Sequence, residues 1–197
     1  VKSSEVIDIS AAMSEDGKLN WNAPEGDWCI IRFGYTSTGA ENMPASVEGK
    51  GLECDKMDAE AVKAHFNGFC RPIAKAAGRH TGNTFKFILV DSWECGFTNW
   101  TKAFPEEFKQ LRGYDITNWI PVLCGELVED PARSCAFLFD FRKTISDLID
   151  SNYYSVLADE LHALGQNEKG ICRGCIEADG YVPEWAQSRR CKIHACT

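Results

Sequence analysis

The stretch Ile88-Leu89-Val90-Asp91-Ser92-Trp93-Glu94 sets two carboxylates beside a large aromatic at the end of an apolar run. A carboxyl group packed on an indole is partly desolvated. That disfavours its charged form and suits it to donate a proton. Tryptophan faces also stack on sugar rings through apolar C–H surfaces. The competing reading is that Glu94 caps a loop or pairs with a nearby Lys or Arg, since acidic residues after strands are common. Directly downstream, Thr98-Asn99-Trp100-Thr101 is a polar-aromatic segment suited to a polyhydroxylated ligand, with Asn99 and Trp100 its candidate contacts. Upstream, Gly51-Leu52-Glu53-Cys54-Asp55-Lys56 offers Glu53 and Asp55 just before a helix start, where helix capping competes with ligand contact.

The elements that must position these residues follow from periodicity and punctuation. Residues 84–90 form a nearly continuous apolar run of strand length, as in a parallel sheet covered on both faces. In β/α barrels the C-terminal ends of such strands open into the active site. Asp58 is placed to cap a helix, with Met57 and Val62 as a hydrophobic staple. Val62, Phe66, Phe69 and Ile73 recur at helical spacing, Pro72 kinks the late turns, and Gly78 ends the helix. Pro105, Glu106, Glu107 and Gly113 delimit a short helix, and Asp130-Pro131 opens the longest. The stripe of that longest helix runs from Phe137 through Leu148 and Leu157 to Leu164, before Gly165. A further strand is expected over 171–178, ending in the acidic Glu177.

At the start, Val6-Ile7-Asp8-Ile9-Ser10 and the β-branched and aromatic run 28–35 read as antiparallel strands, with turns at Asp16-Gly17 and 24–27. The expectation is therefore α/β: a partial (β/α)8-type barrel with an N-terminal antiparallel β segment. The β-rich segment covers 1–37, and 38–197 forms part of the barrel, incomplete at its C-terminus. A full barrel takes about 250 residues, so 197 residues hold only part of one. Val1–Thr197 made alone is accordingly expected to expose apolar edges and aggregate.

Composition narrows the function classes. With 44% hydrophobic and 25% charged residues, the chain forms a core rather than a disordered ensemble. No apolar run reaches the roughly 20 residues of a bilayer crossing, so no membrane span is expected. A net charge of −8, from 29 acidic against 21 basic residues, disfavours a general nucleic-acid binder. Of the ten cysteines, Cys29, Cys54, Cys70, Cys95, Cys124 and Cys135 are scattered singly and read as small hydrophobes rather than a disulfide framework.

Several of these runs, in this order, resemble glycoside hydrolase family 106, whose characterised members are α-L-rhamnosidases. The resemblance is carried by 6–10, 16–21, 23–28 and 32–36, then by Gly39-Ala40-Glu41-Asn42 and Gly51-Leu52-Glu53-Cys54-Asp55-Lys56-Met57. It continues through Asp91-Ser92-Trp93-Glu94, Phe108-Lys109-Gln110-Leu111-Arg112-Gly113-Tyr114-Asp115 and Asp140-Phe141-Arg142-Lys143-Thr144-Ile145-Ser146-Asp147-Leu148. It spans roughly 6–164.

The resemblance implies hydrolysis of terminal α-L-rhamnosyl groups of an oligosaccharide or polysaccharide, with inversion and dependence on calcium. It also implies a secreted or periplasmic protein, although no signal peptide is read in this chain. Carried over by motif, Glu94 is the general acid; Asp91, Trp93, Asn99, Trp100, Glu53 and Asp55, by their chemistry and placement, are the candidate substrate contacts beside it. An inverting enzyme needs a second carboxylate about 6.5–9.5 Å away. Glu177 is the candidate, unless the base lies beyond Thr197.

The tail departs from the family. Cys172, Cys175, Cys191 and His194 have spacing that could enclose zinc. Cys172 and Cys175 nevertheless fall inside the strand that should lead to Glu177, which argues against zinc and for a divergent or misread C-terminus. Two other function classes stand beside the enzyme: a carbohydrate-binding relic without a competent acid/base pair, and a zinc-stabilised module built on the tail.

Overall fold

The computed structural model describes residues 1–85, 88 and 96–164. Among these are five α-helices: α1 (Ala59–Gly68), α2 (Cys70–Ala77), α3 (Phe104–Arg112), α4 (Pro131–Ile149) and α5 (Ser155–Leu164). A π turn, Asp150–Tyr154, joins α4 to α5, and a 3-10 run covers Thr117–Cys124.

No β-sheet forms among the described residues, which overturns the expected partial (β/α)8 barrel with an antiparallel N-terminal segment. Over 1–37 the chain makes two 3-10 turns, Ser3–Glu5 and Ser10–Ala12, and one isolated bridge between Met13 and Leu19. The turn chemistry is realised: Ser14 N–H donates to Lys18 O at 2.8 Å around Asp16-Gly17, and Trp28 Nε1–H donates to Pro24 O at 2.9 Å. Residues 28–35 nonetheless form no strand. Strand propensity reflects how a side chain fits a pleated, half-buried surface. Ile30, Phe33 and Tyr35 are instead exposed, so the run does not present the half-buried face on which that propensity depends. The other expected strands, over 84–90 and 171–178, fall largely or wholly outside the described residues.

The chain divides into two compact units, the first formed by 1–36 with 102–144 and the second by 37–101 with 145–197. The first is built on aromatics. Phe104, Phe108 and Phe137 are fully buried, and Phe108 meets Tyr114 edge-on at 5.0 Å while Phe137 stacks on Trp119 at 6.0 Å. Pro105 in its first turn starts α3, and Gly113, at φ 83°, ends it in the left-handed conformation that glycine adopts without strain. Ser3 ties the start of the unit to Glu129, its N–H and Oγ–H donating to Oε1 at 2.8 and 2.6 Å.

In the second unit Asp58 caps α1, its carboxylate accepting from the amides of Glu60 and Ala61, while Met57 and Val62 are both buried. The helix does not kink late; it breaks at Phe69 (φ −121°, ψ −63°). Pro72 accounts for the position: it has no N–H to offer the carbonyl of Gly68, and its ring crowds that oxygen. The break redirects the apolar stripe. Phe69 and Ile73, expected inside, are exposed, and Cys70 and Ala74 take their places in the core. Val62, Phe66 and Cys70 pack with Leu157 and Leu161 of α5, and Cys54, Ile88, Tyr153 and Leu164 close over them. Arg71 pairs with Glu160 and lies over the Phe66 ring at 5.8 Å, fastening α2 to α5.

Candidate functional site

The loop before α1 is the part of the candidate site that the described residues define. It is held at its start by an antiparallel bridge between Glu41 and Leu52 and by Glu53 N–H donating to Ala40 O at 2.9 Å. Asn42 closes the turn beneath: its side chain accepts from Gly51 N–H at 2.8 Å and donates to Gly49 O at 3.0 Å. At its far end the loop is fixed by Asp55, whose Oδ1 accepts from Met57 N–H at 2.9 Å. The carbonyl of Asp55 then accepts from Asp58 N–H at 3.2 Å, handing the chain to the cap of α1. The Asp55 carboxylate thus serves the helix entry.

Glu53 has a different setting. Its Oε2 pairs with the Lys56 ammonium at 2.6 Å, and the two side chains are 28% and 9% exposed respectively. The same ammonium lies 5.4 Å from the centre of the Tyr153 ring. Burying a cation costs several kcal/mol unless it is paired and hydrogen-bonded, and here a carboxylate and an aromatic face share that duty. Tyr153 comes from the π turn, and its neighbour Asn152 donates from Nδ2 to Met57 O at 2.8 Å. Single π turns inside helices concentrate at functional sites. This one sends two successive side chains to one loop.

Cys54, between the two acids, faces inward against the core, and burial pushes its thiol above the usual range. Asn99 is exposed and Trp100 half-buried in the stretch 96–101. Among the described residues, no hydrogen bond or ion pair joins Asn99 to Glu53 or Asp55. In the same stretch Thr98 Oγ1 is buried with no hydrogen-bond partner among the described residues, the kind of polar atom that a ligand or water normally satisfies.

Asp91, Trp93, Glu94 and Glu177 lie outside the described residues, as do Cys172, Cys175, Cys191 and His194. Ile88, upstream of Asp91 in the sequence, packs on the same Val62–Phe66 core as Cys54. Among the described residues no group of three or more His, Cys, Asp and Glu side chains is arranged to hold a metal ion. Of the two loop acids, Asp55 is engaged through Oδ1 by Met57 N–H and Glu53 through Oε2 by Lys56. No helix among them is long and apolar enough to cross a membrane.

Sequence reasoning passed over Lys56, Asn152 and Tyr153. A lysine three residues after a glutamate, next to a helix cap, was the available signal for the first; the π turn leaves no comparable mark.

Comparison with known proteins places the chain among glycoside hydrolases. The glycoside hydrolase family 106 model, described as alpha-L-rhamnosidase, matches residues 1–173. A protein of Formosa agariphila that carries a provisional beta-glucuronidase name is 41% identical over 165 residues, 84% of this chain and 14% of that protein. The solved structure of a rhamnosidase from Novosphingobium sp. PP1Y superposes with a TM-score of 0.70 at 34% identity, covering 83% of this chain and 16% of that one. The chain thus spans about a sixth or less of the length of these relatives. A match over 1–173 covers most of the chain, and on that ground the chain belongs to glycoside hydrolase family 106, the α-L-rhamnosidase family.

Proposed function

We propose that the protein hydrolyses terminal α-L-rhamnosyl linkages of oligosaccharides or polysaccharides, with inversion at the anomeric carbon. The observation that supports this most is the family match over 1–173, which runs through Asp91-Ser92-Trp93-Glu94. In this reading Glu94 protonates the glycosidic oxygen as the bond to the leaving alcohol breaks. A second carboxylate, for which Glu177 is the candidate, takes a proton from water on the opposite face of the sugar. Glu53, Asp91, Trp93, Asn99 and Trp100 are its substrate-side residues, and Asp55 holds the loop that carries Glu53. Secretion and calcium dependence come with the family; hydrolysis lost on chelation and restored by added calcium is the expected sign of the latter.

The test is Glu94→Gln in the full-length protein, assayed on an alkyl α-L-rhamnoside, whose leaving group needs protonation. Hydrolysis is expected to fall about 10²–10⁴-fold with the melting temperature unchanged. Activity retained on that substrate overturns the assignment of the acid.

A second reading, cleavage of glucuronides, is favoured by the name of the Formosa agariphila relative. Parallel assays with the p-nitrophenyl α-L-rhamnoside and β-D-glucuronide separate the two. Faster turnover of the glucuronide would replace the first reading.

A further inference from the structure

We propose that Lys56 is a positioning residue that fixes the Glu53 carboxylate for contact with sugar hydroxyls, and that the π turn Asp150–Tyr154 holds Lys56 in place. This rests on the reading of the protein as a glycosidase with Glu53 on its substrate side.

The arrangement is graded from inside to outside. The Lys56 side chain is 9% exposed and the Glu53 side chain 28%, so the cation is the buried end of the pair and the carboxylate the open end. Lys56 takes Oε2, and among the described residues nothing takes Oε1. A carboxylate held by one oxygen in this way presents the other as an acceptor for a neighbouring hydroxyl. Stability alone is a poor reason for the pair, since replacing a buried ion pair by apolar residues of like volume is often neutral or stabilising. What a charged pair adds is direction, because the ammonium selects where the carboxylate oxygen sits.

The ammonium is fixed in turn. Tyr153 puts its ring face 5.4 Å from it, and is braced by Tyr154 edge-on at 5.0 Å and by the Val62–Leu161 core. Asn152 anchors the backbone one residue beyond Lys56, through Met57 O at 2.8 Å. The backbone of Glu53 is tied to Ala40. Both ends of the short Glu53–Lys56 segment are therefore pinned, and the orientation of Glu53 is set by groups more than 90 residues apart.

The experiment measures KM and kcat of the full-length protein on p-nitrophenyl α-L-rhamnopyranoside for wild type, Lys56→Met, Lys56→Arg, Glu53→Gln and the Lys56→Met/Glu53→Gln double variant. Lys56→Met is expected to raise KM tenfold or more while kcat changes less than threefold, and Lys56→Arg to recover most of the loss. In the Glu53→Gln background, Lys56→Met should add less than twofold, because its effect passes through Glu53. A KM within twofold of wild type for Lys56→Met, or effects that multiply in the double variant, overturns the proposal. Should Lys56→Met fail to fold, Tyr153→Leu against Tyr153→Phe decides. KM should rise about threefold or more for the first and stay level for the second, and equal values for both count against the proposal. If wild type does not hydrolyse the rhamnoside, the rhamnosidase reading falls, and the same variants compared on p-nitrophenyl β-D-glucuronide decide this proposal. If it does, and Lys56→Met matches it, only this proposal falls.

Discussion

The hydroxyl of Tyr114 donates to Asp140 Oδ2 at 3.0 Å, joining the turn after α3 to the middle of α4. Beside it Arg112 Nε–H donates to Thr144 Oγ1 at 2.9 Å, and that hydroxyl donates onward to Asp140 O at 2.8 Å. Arg112 and Tyr114 of the family motif 108–115 thus meet Asp140 and Thr144 of the motif 140–148 in one polar seam of the first unit.

This seam gives stability an alkaline limit. Burial first, then the hydrogen bond and charge of Asp140, raise the Tyr114 hydroxyl well above its ordinary value of 10.0. Above about pH 10 the unfolded chain has lost this proton while the folded chain keeps it, so stability is full below that pH and falls as pH rises beyond it. Tyr114→Phe should cost about 1 kcal/mol at neutral pH and flatten the alkaline decline. Urea unfolding at pH 7 and above pH 10 measures both; an unchanged alkaline slope in the variant would assign the decline elsewhere.

Asp58 gives a second prediction. Its carboxylate accepts from two free amides at the start of α1. Asp58→Ala should destabilise by about 1 kcal/mol and Asp58→Asn by less, since an amide oxygen still caps. Equal losses for the two would mean that charge at the helix start, rather than hydrogen bonding, dominates.

Phe66 is fully buried where α1 and α5 meet. Phe66→Ala should cost about 3–5 kcal/mol, far more than Phe69→Ala, because Phe69 is 61% exposed at the break. A continuous helix with the stripe at Val62, Phe66, Phe69 and Ile73 predicts comparable losses. Chemical denaturation of the pair discriminates.

The thiols should separate by reactivity. Cys29, Cys124 and Cys135 are exposed, whereas Cys70 is buried and its thiol, like that of Cys54, is raised by burial. Timed alkylation of the native protein, read residue by residue by mass spectrometry, should label the first three well before Cys54 and Cys70. Early labelling of Cys70 would mean that the α1–α5 contact opens readily.

Features written in a few consecutive residues were legible in the sequence. Asp58 before α1, Pro105 and Gly113 around α3, and Gly78 after α2 act on their own backbone neighbours, and each appears where its chemistry requires. The break at Phe69 was half legible: Pro72 announced it, but a proline acts on the carbonyl four residues earlier, so the interruption falls well before the ring itself. The N-terminal strands were misread because a ladder depends on a remote partner that local alternation does not supply. For the candidate site, Glu53 and Asp55 stood out as acids and the Asp55–Met57 turn is local, yet the Tyr153 ring that meets Lys56, the partner of Glu53, lies about 100 residues away along the chain.

The π turn also has a consequence for chain length. A π turn closes its backbone ring with one residue more than an α turn, so 150–154 carries a surplus unit between α4 and α5. Excising that surplus would let the coil run on uniformly with Leu157 and Leu161 still facing Val62, while removing the alignment that sends both Asn152 and Tyr153 to one place. In homologous chains a single-codon deletion here would therefore be tolerated by folding yet felt at the loop, which makes the spacing between α4 and α5 as informative as the identity of any residue in it.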